Sequence, residues 1–131
     1  MRDTEFKYVF EIKDGILNRK SYYWEERSVV IPNGVTALGP YSISCALKLD
    51  SISIPSSVTH IGEGAFRQCN VLTGLTLPAG LEQIDNYAFE ECRCFKALIL
   101  PEKIQRISEG MLRESHNLES IHFSQNLKEI G

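Results

Sequence analysis

The sequence predicts an α/β solenoid, mostly β, in which short parallel strands and one helical turn recur in every coil behind an N-terminal β-hairpin. Three observations predict it. Pro32, Pro55, Pro78 and Pro101 stand 23 residues apart, and a fixed period of that length belongs to a stacked array. Residues at constant offsets from these prolines are apolar in successive coils, so one buried pattern is used again and again. The segment ahead of the first proline follows a different rule, alternation about a two-residue turn.

In that first segment Phe6, Tyr8, Phe10 and Ile12 alternate with Lys7, Val9, Glu11 and Lys13, Asp14-Gly15 supplies the turn, and the chain runs back through Ile16 and Leu17. Tyr22, Tyr23 and Trp24 follow, a density of aromatics suited to covering the apolar end of an array, whose terminal unit is generally atypical. Residues 1–28 are therefore read as an N-terminal β-hairpin cap and 29–131 as a solenoid of about four and a half coils, together one compact domain.

The first buried element of each coil is a strand. The column Val29, Ile52, Leu75, Leu98, Ile121 is apolar, as is Ile31, Ile54, Leu77, Leu100, Phe123 two residues on. Alternation over so few residues marks a half-buried strand, and strands that recur once per coil in one direction pair in parallel. Proline ends each strand because it has no N–H for a ladder. A returning wall follows in Val35 and Leu38, Val58 and Ile61, Leu81 and Ile84, Ile104 and Ile107, Leu127 and Ile130.

The next column, Gly39, Gly62, Asp85, Ser108, Gly131, contains residues that all serve as helix N-caps, so a helical turn is expected to begin there. It carries Ala65-Phe66, Ala88-Phe89 and Met111-Leu112 into the core, then Cys69 and Cys92 with Ser115 as their next equivalent. Leu49, Leu72, Phe95 and Leu118 lead into the following strand. In the fifth coil Ser124 replaces the proline and no C-terminal cap is visible.

Composition narrows the function. With 43% hydrophobic and 24% charged residues the chain has the make-up of an ordinary folded domain. Its net charge of −3 is dispersed, residues 1–28 carrying six basic and six acidic side chains, which excludes the clustered cations of a nucleic-acid surface or a polybasic membrane patch. No apolar run spans a membrane or forms a signal peptide, so the chain is expected in the cytoplasm if Met1 is its native start, and at the cell surface or secreted if it is a piece of something longer. The four cysteines, Cys45, Cys69, Cys92 and Cys94, are too few for a disulfide scaffold and are read as reduced thiols. Oxidation could join Cys69 to Cys92, one coil apart.

The unit Leu-x-x-Ile-x-Ile-Pro-x-x-Val-x-x-Ile-Gly-x-x-Ala-Phe-x-x-Cys, almost complete at Leu49 to Val71, resembles the BspA-like class of bacterial leucine-rich repeats. The resemblance implies a right-handed solenoid and a role in binding, since members are commonly surface or secreted proteins thought to act in adhesion. It also implies that Cys in this column is a small buried hydrophobe, and the C-x-C at Cys92 lacks the spacing of zinc ribbons. No metal, cofactor or catalytic residue is expected.

His60, His116 and His122 lie in no catalytic motif and are read as facing water, as are the acidic pairs Glu25-Glu26 and Glu90-Glu91. What remains is the outward face of the strands: Ser28, Val30, Ser51, Ser53, Gly74, Thr76, Ala97, Ile99, Ser120 and His122. These small, nearly uncharged positions form a shallow strip that suits an extended peptide or a protein partner better than a small substrate. A non-catalytic interaction module is therefore the first expectation. A structural unit that associates through its C-terminal coil, as a homodimer, is the second.

Overall fold

The coils of this chain build three walls, front, return and turn, and most of each wall is hydrogen-bonded to the same wall of the next coil. The structure, a computed structural model, describes residues 10–20 and 25–131; the expected aromatic cover at Phe6, Tyr8, Tyr22, Tyr23 and Trp24 lies outside them. Together the coils form a β-solenoid of about five turns with parallel strands.

The hairpin consists of β1 (Phe10–Lys13) and β2 (Ile16–Arg19), antiparallel, with Lys13 opposite Ile16. Its turn has φ of 53° at Asp14 and 79° at Gly15, the double left-handed conformation that matches strand twist. β2 does more than close the hairpin: it is the first strand of the return wall. It pairs in parallel with β4 (Ala37–Leu38), which pairs with β6 (His60–Ile61), which pairs with β7 (Gln83–Ile84). The Arg19 guanidinium bonds the Ser44 carbonyl and ties the hairpin to the first coil.

The front wall holds β3 (Ser28–Val30) and β5 (Ser51–Ser53), paired in parallel, and β8 (Ala97–Ile99) with β10 (Ser120–His122), paired likewise. On the return wall β9 (Arg106–Ile107) pairs with β11 (Glu129–Ile130). Registers step by 23 residues throughout, Val29 opposite Ile52 and Leu98 opposite Ile121. Each proline carbonyl accepts from the residue three on, as in Ile104 N–H to Pro101 O at 3.0 Å, so the turn after the strand is a hydrogen-bonded one. Ser124 keeps that turn without proline, accepting the Leu127 N–H at 3.2 Å.

The third wall corrects the expectation of a helical turn. Among the described residues there is no helix. Alternate residues instead bond to the next coil: Tyr41, Ile43 and Cys45 donate to the carbonyls of Glu63, Ala65 and Arg67, each at 2.8 Å, and Tyr87, Phe89 and Glu91 donate to Glu109, Met111 and Arg113. The residues between them close turns onto the carbonyl three back, as Ser42 does to Gly39 and Arg67 to Gly64. Two positions per coil are left-handed, the columns Tyr41, Gly64, Tyr87, Gly110 and Cys45, Gln68, Glu91, Glu114, all with φ between 55° and 62°. Left-handed residues four apart cannot continue a helix.

The glycine column therefore has a different purpose from capping. A Cβ at Gly62 would lie 2.7 Å from the Leu38 carbonyl oxygen, and one at Gly39 2.8 Å from that of Leu17, so these glycines let adjacent coils approach. Asp85 sits there with its N–H still bonding Ile61 O at 2.9 Å. At Ser108 the hydroxyl donates to the Ile84 carbonyl at 2.5 Å, and here β7 and β9 do not pair.

Between the walls lies one core. Val29, Ile31, Val35, Leu38, Leu49, Phe66, Leu72, Leu81, Phe89, Leu98 and Leu100 are at most 2% exposed. Phe66 and Phe89 stack at 5.4 Å between centroids, and Phe95 tilts against Phe89 at 5.5 Å. Phe123, expected inward, is 45% exposed and Ile130 75%, because in the structure no coil covers the far side of the fifth.

Candidate interaction surface

The front strip is an outcome of strand alternation. Because Val29, Leu98 and their equivalents face the core, the side chains on either side of them must face out. Ser28, Val30, Ser51, Ser53, Thr76, Ala97, Ile99, Ser120 and His122 are exposed, and Gly74 is half-buried. The apolar members Val30 and Ile99 are 59% and 67% exposed. These residues lie on the two front-wall strand pairs and on the coil segment between them.

That middle coil departs from strict repetition. Gly74 to Leu77 is assigned to no strand, and the front wall falls into two two-stranded pieces on either side of it. Glycine has no side chain to pack on a sheet and weakens a strand at its interior. A groove of about 420 Å³ opens here, lined chiefly by Leu75, Leu77, Ile99, Pro101, Glu102 and His122. Sequence reasoning missed Pro101 and Glu102 as part of this surface, because they belong to the turn rather than the strand; Gly74 was the signal that could have found it.

A second groove, of about 440 Å³, lies where β7 and β9 fail to pair, between Glu82, Asp85, Asn86 and Lys103, Arg106, Ser108. Asp85 is already committed: its carboxylate holds the His60 ring nitrogen at 2.8 Å and the Gln83 amide at 2.6 Å. His60 is thus half-buried and partnered instead of facing water. His116 lies 3.9 Å from Glu114 and is exposed.

The turn wall carries the charges, and it corrects the reading of Glu90 as a solvated residue. Glu90 is only 8% exposed. It lies between Arg67 of the coil before, at 2.6 Å, and Arg113 of the coil after, at 3.8 Å, a stack of alternating sign in one column. The hydrogen bond to Glu90 raises the pKa of Arg67. Beside it Cys45 donates to Gln68 at 3.0 Å and Gln68 to Glu91 at 3.1 Å.

All four cysteines are free thiols. Cys69 Sγ donates to the Ile43 carbonyl at 3.2 Å, Cys92 Sγ to that of Phe66 at 3.1 Å, and Ser115 Oγ to that of Phe89 at 2.9 Å. The column holds small buried side chains, and where that residue is cysteine or serine it donates to the carbonyl 26 residues back. Burial pushes the Cys92 thiol up to about 12 and that of Cys69 well up. No group of three or more metal-binding side chains and no helix long and apolar enough to cross a membrane is present among the described residues.

A coil of front strand, return strand and turn wall, repeated with a proline and a donor column, defines a leucine-rich-repeat solenoid. The chain belongs to the family described as BspA type leucine rich repeat region, which matches residues 16–131 in six copies and so begins at β2. Among solved structures, a T. pallidum leucine rich repeat protein aligns over 95% of this chain and 79% of its own with 20% identity and a TM-score of 0.72. A leucine-rich repeat protein from Bacteroides capillosus aligns over 88% of this chain and 92% of its own with 26% identity and a TM-score of 0.72. A leucine rich cell surface protein from Faecalibacterium prausnitzii aligns over 88% of this chain at 25% identity and a TM-score of 0.63, and the match spans 37% of that chain. No curated protein matches the sequence. The family is one of protein-interaction and structural repeat modules.

Proposed function

We propose that the chain is a non-catalytic interaction module that holds a protein or peptide partner along its front strip. The observation that carries this reading is the chemistry of the strip. Ten positions over five coils lie on the outward side of the front strands with no Lys, Arg, Asp or Glu among them. Surfaces that only meet water have no reason to exclude charge in this way, and depletion of charge is what distinguishes the core of an interface. The partner search uses the intact chain as bait. A Thr76→Lys, Ile99→Lys double variant should keep its melting temperature and lose the captured partner; equal capture by both proteins overturns the reading.

A second reading has its own observation. Phe123 and Ile130 are exposed on the fifth coil beside the open edges of β10 and β11, which favours docking of a second copy there. Light scattering that shows a monomer at every concentration overturns it.

A further inference from the structure

The groove at the middle coil has backbone groups to offer as well as side chains. Where the front ladder is intact, Ile31 N–H bonds Ser53 O at 3.0 Å and Leu100 N–H bonds His122 O at 2.8 Å. The equivalent groups on Gly74 to Leu77 have no backbone hydrogen bond among the described residues, although Leu77 is only 8% exposed. An unbonded backbone group in a sheltered place is costly to leave unpaired, so it favours a partner that supplies the missing donor or acceptor.

Charge narrows the partner. Glu102 is the one carboxylate on the groove and has no ion pair among the described residues. We propose, building on the interaction reading above, that this groove recognises an extended peptide bearing an aliphatic residue near a Lys or Arg. The aliphatic side chain enters among Leu75, Leu77, Ile99 and Pro101, the peptide backbone bonds the free groups of Gly74 to Leu77, and the cation meets Glu102. Strand-like recognition of this kind draws affinity from the main chain and specificity from the side-chain sites. A second copy of the strip is a poorer occupant, because it brings no cation to Glu102.

The test is selection from a displayed library of random nine-residue peptides on the intact chain. Selected peptides should pair an aliphatic residue with a nearby Lys or Arg. Glu102→Lys, a change on an exposed turn, should weaken the selected peptides by about tenfold or more and select acidic residues in place of basic ones. Glu82→Lys, the same charge reversal on the return wall, should leave affinity unchanged. Hydrogen exchange should slow at the Leu77 amide when peptide is added and stay the same at Ile31. If the wild-type chain selects no peptide, peptide binding by the module fails and the groove with it. If peptides bind but Glu102→Lys alters neither affinity nor charge preference, or Leu77 gains no protection, the groove is overturned and binding lies elsewhere on the strip.

Discussion

Cys92 carries two consequences that follow from the hydrogen bond of its thiol and its burial. In the folded protein at pH 8, iodoacetamide should label Cys45 and Cys94 and spare Cys69 and Cys92, with mass spectrometry showing all four labelled only after denaturation; labelling of Cys92 in the native state would contradict its burial. The sign of the alkaline effect is fixed as well. The Cys92 pKa rises from 9.0 to about 12 on folding, so stability is unaffected below pH 9 and falls between pH 9 and 12, where the unfolded thiol has lost its proton and the folded one keeps it. Melts of Cys92→Ser should show less of that alkaline decline while holding stability near pH 7, since Ser115 already makes the same bond one coil on. Glu90 is the opposite case, a charged residue held by two cations. Glu90→Ala should lower stability in chemical denaturation by about 1 kcal/mol, because Arg67 loses its shortest ion pair but keeps Glu91 at 3.5 Å.

At the scale of the elements, the strands were legible in the sequence and the turn wall was not. Alternation about Val29, Leu98 and Ile121 identifies a strand because one residue in two must face the core. Proline marks its end for a reason that needs no neighbours. The left-handed wall gave no such sign, since six of its eight left-handed positions carry ordinary side chains and a run such as Gly62 to Cys69 reads as a short helix. Its hydrogen bonds go to residues 22 positions away, a relation that local propensity does not record. The strip residues were legible because they are the complement of the core; the groove was not, because it depends on a ladder failing at Gly74. At the break on the return wall the Ser108 hydroxyl takes the Ile84 carbonyl. Ser108→Gly should let β9 pair with β7, seen as slower hydrogen exchange at Ser108 and its neighbours. Unchanged exchange would place the cause elsewhere.

For the whole molecule the decisive fact is that each coil touches only its neighbours, so damage is felt through one interface at a time. Leu100→Ala should cost about 2 to 5 kcal/mol and Phe89→Ala about 3 to 5, while Phe123→Ala on the exposed face of the fifth coil should change the denaturation midpoint little; a large effect there would mean that Phe123 is covered in solution. Gly64 and Gly110 are equally sensitive positions. A Cβ on either would strike the ring of Tyr41 or Tyr87 in the preceding coil, in a backbone conformation that already disfavours side chains. Rings occur at Tyr41 and Tyr87 and gaps at Gly64 and Gly110, so the fit alternates from coil to coil. For this column the packing unit is then a pair of coils. Removing the coil that carries Gly64 would set Tyr41 against Tyr87, whereas changes in length by two coils preserve the mesh.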